Sequence, residues 1–187
     1  KEFDGLGSKF GAFTASITEM FDYGRYMLKK RREDPQNDLM SAIARAQVDG
    51  EFLSDEYLDG SWLLIVFAGN DTTRNTLSGA MKLLTQFPDQ KAKLIARPDL
   101  MPNAVDEIIR MVSPVIYMRR TATTDVEVGG QQIAEGEKVI MYFGSANRDE
   151  AVFANPDQFD VERSNASRHI AFGYGPHTCI GKRVAQM

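Results

Sequence analysis

Phe172-Gly173-Tyr174-Gly175-Pro176-His177-Thr178-Cys179-Ile180-Gly181 decides the reading of this chain, because it holds the only cysteine in 187 residues. A thiolate is the nucleophilic and metal-binding form of cysteine, and the unpaired backbone N–H groups of a helix start favour it. Lys182-Arg183-Val184-Ala185-Gln186-Met187 follows at once and reads as such a helix. Gly173, Gly175 and Gly181 let the backbone turn sharply and let a flat, bulky group come close, while Pro176 stiffens the turn between them. Taken alone, a single cysteine is more often a small buried hydrophobe than a ligand. A dinucleotide fingerprint would need glycine where Thr178 stands, with a strand before it. Zinc is a poor fit, since one Cys and two His do not make a closely spaced tetrahedral set.

The totals narrow the classes. With 43% hydrophobic and 26% charged residues the chain can bury a core, and a formal charge of −4 leaves no electrostatic footprint for nucleic acid. Lys29-Lys30-Arg31-Arg32 reads as a solvated helix end. One cysteine excludes an internal disulfide framework and fits a reducing cytoplasm. The longest apolar run, Trp62 to Ala68, falls far short of the roughly 18–20 residues a membrane span needs, and no signal-peptide pattern opens the chain. The expectation is a soluble, cytoplasmic, monomeric protein.

Along the chain, Phe10, Phe13, Ile17, Met20, Phe21, Met27 and Leu28 repeat at helical spacing over residues 1–32, and Pro35 breaks that helix. A short helix is predicted over Leu39–Ala46, then a turn at Asp49-Gly50. Ser54, followed by Asp55 and Glu56, caps a long helix over residues 54–86 that Phe87-Pro88 closes. In its middle, Ala68-Gly69-Asn70-Asp71-Thr72-Thr73 collects weak helix formers, which predicts a locally loosened turn of functional origin. A helix from residue 88 ends near Pro98, and another runs from Pro102 to Val112 with Glu107 and Arg110 on one face. Val115 to Met118, Thr121 to Thr124 and Lys138 to Phe143 are β-prone, and Val126–Val128, Gly129-Gly130 and Gln131–Ile133 form a hairpin pattern. Residues 144–170 read as irregular. The fold class is mainly α with small β-sheets.

The spacing F-x-x-G-x-x-x-C-x-G over 172–181 resembles the cysteine-ligand loop of the haem-thiolate monooxygenases, the cytochrome P-450 superfamily. Three further stretches resemble that family in the order it shows them. Ala68-Gly69-Asn70-Asp71-Thr72 resembles the oxygen-activation motif of the long helix on the distal haem face. Glu107-x-x-Arg110 resembles its buried pair, which a second arginine completes; Arg163 matches that position. Asn147-Arg148-Asp149 and Asn155-Pro156-Asp157 resemble the meander leading to the cysteine. The likeness is strongest over about 54–187. It implies that 1–187 is a single partial domain, the C-terminal haem-bearing part of a protein about twice as long. Residues 54–86 would form the oxygen-activation helix and 172–187 the cysteine-ligand loop with its following helix.

What the resemblance implies for function is a bacterial-type monooxygenase holding haem b through the Cys179 thiolate. Ala68 and Gly69 would leave room for dioxygen, Thr72 would hydrogen-bond it, Asp71 would relay protons and Thr73 would support the same turn. Arg120 and His177 would contact the haem propionates, with Phe172, Gly173 and Gly181 shaping the loop. Glu107, Arg110 and Arg163 would form a structural triad. Leu64, Phe67, Ile116 and Met118 would meet a small hydrophobic substrate: a terpenoid, an alkane or fatty acid, or a steroid side chain. Electrons would come from NAD(P)H through a ferredoxin and ferredoxin reductase or an equivalent redox partner. Two rival readings are a haem-thiolate peroxygenase or isomerase, and a helical interaction module with an incidental cysteine.

Overall fold

The computed structural model describes residues 4–187, with side chains described from residue 11 onward; Phe10 lies outside those described side chains. Chain packing divides the protein into two compact units, Lys1–Gly69 and Asn70–Met187.

In the first unit, helix α1 (Asp4–Glu33) ends in Lys30, Arg31 and Arg32, where cations complement the helix dipole. Helix α2 (Leu39–Ala44) is capped by Asp38, whose carboxylate accepts from Ser41 N at 2.8 Å. It stops two residues short of the predicted end: Arg45 N still bonds Ser41 O (3.2 Å), but Ala46 N turns to Ile43 O (3.1 Å) as the chain enters a small hairpin that the sequence did not suggest. Strands β1 (Gln47–Val48) and β2 (Glu51–Phe52) pair antiparallel, and their turn puts Asp49 and Gly50 at φ 53° and 85°. Leu28, Ala44 and Leu58 form the small core, with Met40, Ile43, Leu53 and Trp62 packed on it. Trp62 Nε1 donates to Met20 O at 2.9 Å, and the indole lies where a Cβ on residue 24 would be, 2.5 Å from its Cδ1; only glycine fits there.

Helix α3 (Asp55–Gln86) begins as predicted, with Ser54 Oγ accepting from Tyr57 N at 3.3 Å. The loosened turn expected at 68–73 is absent: the segment is unbroken α-helix. Each weak former costs at most about 1 kcal/mol, and extending a helix already nucleated on both sides recovers a hydrogen bond per residue. The weakness shows instead in side-chain bonding, as Thr76 Oγ1 donates back to Thr72 O at 2.8 Å.

In the second unit, α4 (Pro88–Ala96) and α5 (Met101–Val112) follow the later part of α3, and Leu83, Leu94, Ala104, Ile108, Phe159 and Val161 form its core. Helix α5 stops at Ser113, which takes the left-handed conformation at φ 43°. Strand β3 (Tyr117–Thr121) pairs antiparallel with β6 (Lys138–Tyr142), and β4 (Val126–Val128) with β5 (Gln131–Ile133) across Gly129 and Gly130, both at positive φ. Phe143, expected in the last strand, instead starts the short helix α6 (Phe143–Ala146), buried against the chain rather than continuing the edge of a two-stranded ribbon. From there to Ile170 the chain is irregular apart from one 3-10 turn at Ala166–Arg168, and α7 (Lys182–Ala185) follows the cysteine loop. No helix among the described residues is long and apolar enough to cross a membrane.

Candidate functional site

Helix α5 places Glu107 and Arg110 one turn apart, both with fully buried side chains. Arg110 donates to Glu107 through Nε (2.7 Å) and Nη2 (2.9 Å), and Arg163 Nε donates to Glu107 Oε1 at 3.0 Å. A buried charge is tolerated only when its remaining donors are also satisfied. Arg110 Nη1 reaches the carbonyls of Asn147 (2.7 Å) and Pro156 (2.8 Å), while Arg163 reaches those of Ala154, Asn155 and Gln158. The irregular stretch forms no ladder of its own, so these guanidinium groups take the place of one. Asn147, fully buried, ties the same stretch together: Nδ2 donates to Ser113 Oγ (2.9 Å) and Oδ1 accepts from Ile170 N (2.8 Å). Arg110 also lies 5.0 Å over the Phe153 ring.

Ile170 leads into the cysteine loop, which closes on itself through Cys179 N donating to Phe172 O at 2.9 Å. Gly173 and Gly175 sit at φ 73° and 77°, a backbone geometry that side-chain-bearing residues rarely adopt. Within the loop, a 3-10 turn at Gly175–His177 carries His177, and Thr178 Oγ1 donates to Gly175 O at 2.8 Å. A Cβ at residue 181 would lie 3.8 Å from Cys179 Sγ, so Gly181 flanks the sulfur. The thiol is free and exposed. Helix α7 begins at Lys182 as expected, with Gly181 as its cap, and ends at Ala185; Lys182 N bonds the Cys179 carbonyl (3.2 Å), not the sulfur.

On α3, Asp71 is exposed, accepts from Asn75 Nδ2 at 3.2 Å and lies 4.0 Å from Arg74. A Cβ at Gly69 would meet nothing within 4 Å, which leaves open space beside Gly69; Thr72 and Thr73 continue the same helix. Leu64 and Phe67 are 68% and 65% exposed, and Ile116 and Met118 are also exposed, so none of the four is core packing in this chain. Arg120, on β3, donates along its own strand to Arg119 O at 3.0 Å. The structure thus joins Glu107, Arg110 and Arg163 directly, and joins Phe172, Gly173, Cys179 and Gly181 in one loop. It leaves Arg120 and His177 on separate segments. Asn147 of the meander also holds this region, as do His169, Asp106 and Gln186, and nothing in the local sequence marks the last three.

The donor set can be tested for a metal cofactor. Among the described residues no three His, Cys, Asp or Glu side chains come together as a metal site. One exposed soft sulfur on a loop relieved of side chains fits a metal that brings its other ligands with it in a flat ring.

The sequence model for the family described as Cytochrome P450 matches residues 8–187. A linalool 8-monooxygenase of Pseudomonas putida is 41% identical over 171 residues, covering 91% of this chain and 42% of that protein. A steroid C26-monooxygenase of Mycobacterium tuberculosis is 44% identical over 166 residues, covering 89% and 44%. Among solved structures, a Mycobacterium marinum cytochrome P450 in complex with pseudoionone superposes with a TM-score of 0.87 at 42% identity, covering 90% of this chain and 41% of that one. The chain therefore spans less than half the length of the relatives it matches.

Proposed function

The chain belongs to the cytochrome P450 family, and from that premise we propose that it is the haem-bearing C-terminal part of a monooxygenase acting on a small hydrophobic substrate. The carrying observation is the exposed Cys179 thiol on a loop closed back onto Phe172. Haem iron is the cofactor the family implies; when bound through a cysteine thiolate it supplies dioxygen activation, with O–O cleavage favoured by thiolate donation.

The reaction RH + O2 + 2e− + 2H+ → ROH + H2O sets what the protein must add. Cys179 Sγ would hold the iron. Arg120 and His177 offer cationic and hydrogen-bonding partners for the propionates, and the absence of side chains at Gly173 and Gly181 lets the ring approach. Two protons must be delivered to oxygen in a controlled place. The Thr72 hydroxyl would offer a hydrogen bond to dioxygen, Ala68 and Gly69 would leave room for it and Thr73 would continue the same helical turn. The exposed Asp71 carboxylate takes protons from solvent and passes them inward. Two electrons arrive from NAD(P)H through a ferredoxin and its reductase or an equivalent redox partner. Leu64, Phe67, Ile116 and Met118 contact the substrate, a terpenoid, an alkane or fatty acid, or a steroid side chain; their apolar character and exposure support that reading. Cytoplasmic location and a monomeric state complete the reading.

The test is the reduced carbonyl spectrum of the full-length protein. The wild type should give the thiolate-ligated form, and Cys179→Ser should lose it. Retention of that spectrum by the variant would remove the assignment.

A further inference from the structure

Among the described residues, His169 carries the one buried side-chain polar atom with no hydrogen-bond partner, Nε2. Its ring is 1% exposed, and Nδ1 accepts from Ala171 N at 3.2 Å, which makes Nε2 the protonated nitrogen of the neutral ring. Burial holds its pKa below the usual histidine range; Lys182 and Arg110 act in the same direction and Asp106 opposes them. Nε2 lies 3.5 Å from Asp106 Oδ1, too long for a good hydrogen bond. The same oxygen accepts from Gln186 Nε2, whose residue is 80 positions away in the chain.

These contacts bracket the cysteine. His169 stands before Phe172 and Gln186 stands after Gly181, so one carboxylate on α5 reaches both ends of the segment between them. Phe172 is held from the same two sides of the sequence, its ring 5.6 Å from His169 and 5.7 Å from Lys182 Nζ. Asp106 is also the chain neighbour of Glu107, which anchors Arg163 and the backbone of Asp160. On the Gln186 side the link to Asp106 is a direct hydrogen bond, and on the His169 side it is a charge–dipole contact, the Nε2–H facing the carboxylate at 3.5 Å. Together they fix both ends of a short loop, and the sulfur is then constrained in position.

We propose that Asp106 is a positioning residue for Cys179, acting through His169 and Gln186 as a clamp on the two ends of the cysteine loop. The proposal deepens the haem-thiolate reading and rests on it for its consequence, the fidelity of thiolate ligation.

The test uses the full-length holoprotein with Asp106→Ala, Asp106→Asn and Gln186→Leu. Three quantities are read: the fraction of the reduced carbonyl complex in the thiolate form, the reduction potential, and amide exchange over residues 170–181. Asp106→Ala should lower the thiolate fraction, move the potential and speed exchange at 170–181 by about tenfold, leaving 104–110 unchanged. Asp106→Asn, which keeps an acceptor, should recover most of each. Gln186→Leu should speed exchange chiefly at 179–181, and it decides the matter if Asp106→Ala does not fold. A wild-type thiolate fraction and potential in Asp106→Ala, or exchange rising equally over 104–110, would overturn the clamp. If the wild type itself lacks the thiolate spectrum, the haem reading has failed and the exchange pattern alone judges the clamp.

Discussion

Thr72 shows how a single side chain is placed by its helix and used for its chemistry. Its carbonyl accepts from Thr76 Oγ1, and Asp71 beside it is exposed and bonded to Asn75. A hydroxyl can both donate to and accept from a bound oxygen species, whereas the methyl of alanine can do neither. Thr72→Ala in the full-length protein should therefore leave NADPH consumption largely intact while product falls and peroxide rises. The check is the ratio of product formed to NADPH consumed, and a wild-type ratio would exclude Thr72 from proton delivery. At this scale the sequence marked Glu107 with Arg110, a pair the structure buries and joins, and it marked Cys179 and Asp71 with Thr72 for the roles proposed above. Asp106, His169 and Gln186 carried no such mark, because each is ordinary in its own neighbourhood and gains meaning from contacts across the chain.

Among the elements, helices and turns followed local rules closely. Ser54 and Asp38 start helices through side-chain caps, Ser113 stops one, and Gly129-Gly130 closes a hairpin. The largest exception is the middle of α3, where summed propensity pointed to a loosened turn and cooperative helix extension prevailed. The packing of α1 against the start of α3 depends on one missing side chain. Gly24→Ala would put a Cβ 2.5 Å from the Trp62 ring, and that ring is held by its N–H bond to Met20 O, so relief by rotation is blocked. The expected cost is about 1–3 kcal/mol. Denaturant midpoints check it, and the fluorescence of Trp62, the only tryptophan, should shift as its environment opens. An unchanged midpoint would mean that the helices separate at no cost.

Over the whole molecule, the second unit is held by charge as much as by apolar packing. Glu107 and Arg110 are fully buried, Arg163 nearly so, and their donors end on carbonyls of the irregular stretch. Glu107→Ala would leave two guanidinium groups buried without a counter-ion, which costs about 3–5 kcal/mol. Thermal or denaturant unfolding should show that loss. Glu162→Ala, which breaks the exposed pairs to Lys93 and Arg97, should change stability far less. Equal effects would show that burial of the triad contributes nothing of its own.

Local sequence pattern pointed to the family and the mainly helical class and marked the candidate site residues, because ligand type, turn geometry and helix capping are written within a few neighbouring positions. Long-range packing decided which backbone carbonyls Arg110 and Arg163 reach, that Asn147 joins Ser113 to Ile170, and that Asp106 accepts from Gln186 while lying 3.5 Å from His169. Most of those contacts link positions tens of residues apart. Which partners a buried polar group finds depends on how the whole chain closes around it, and no local pattern encodes that.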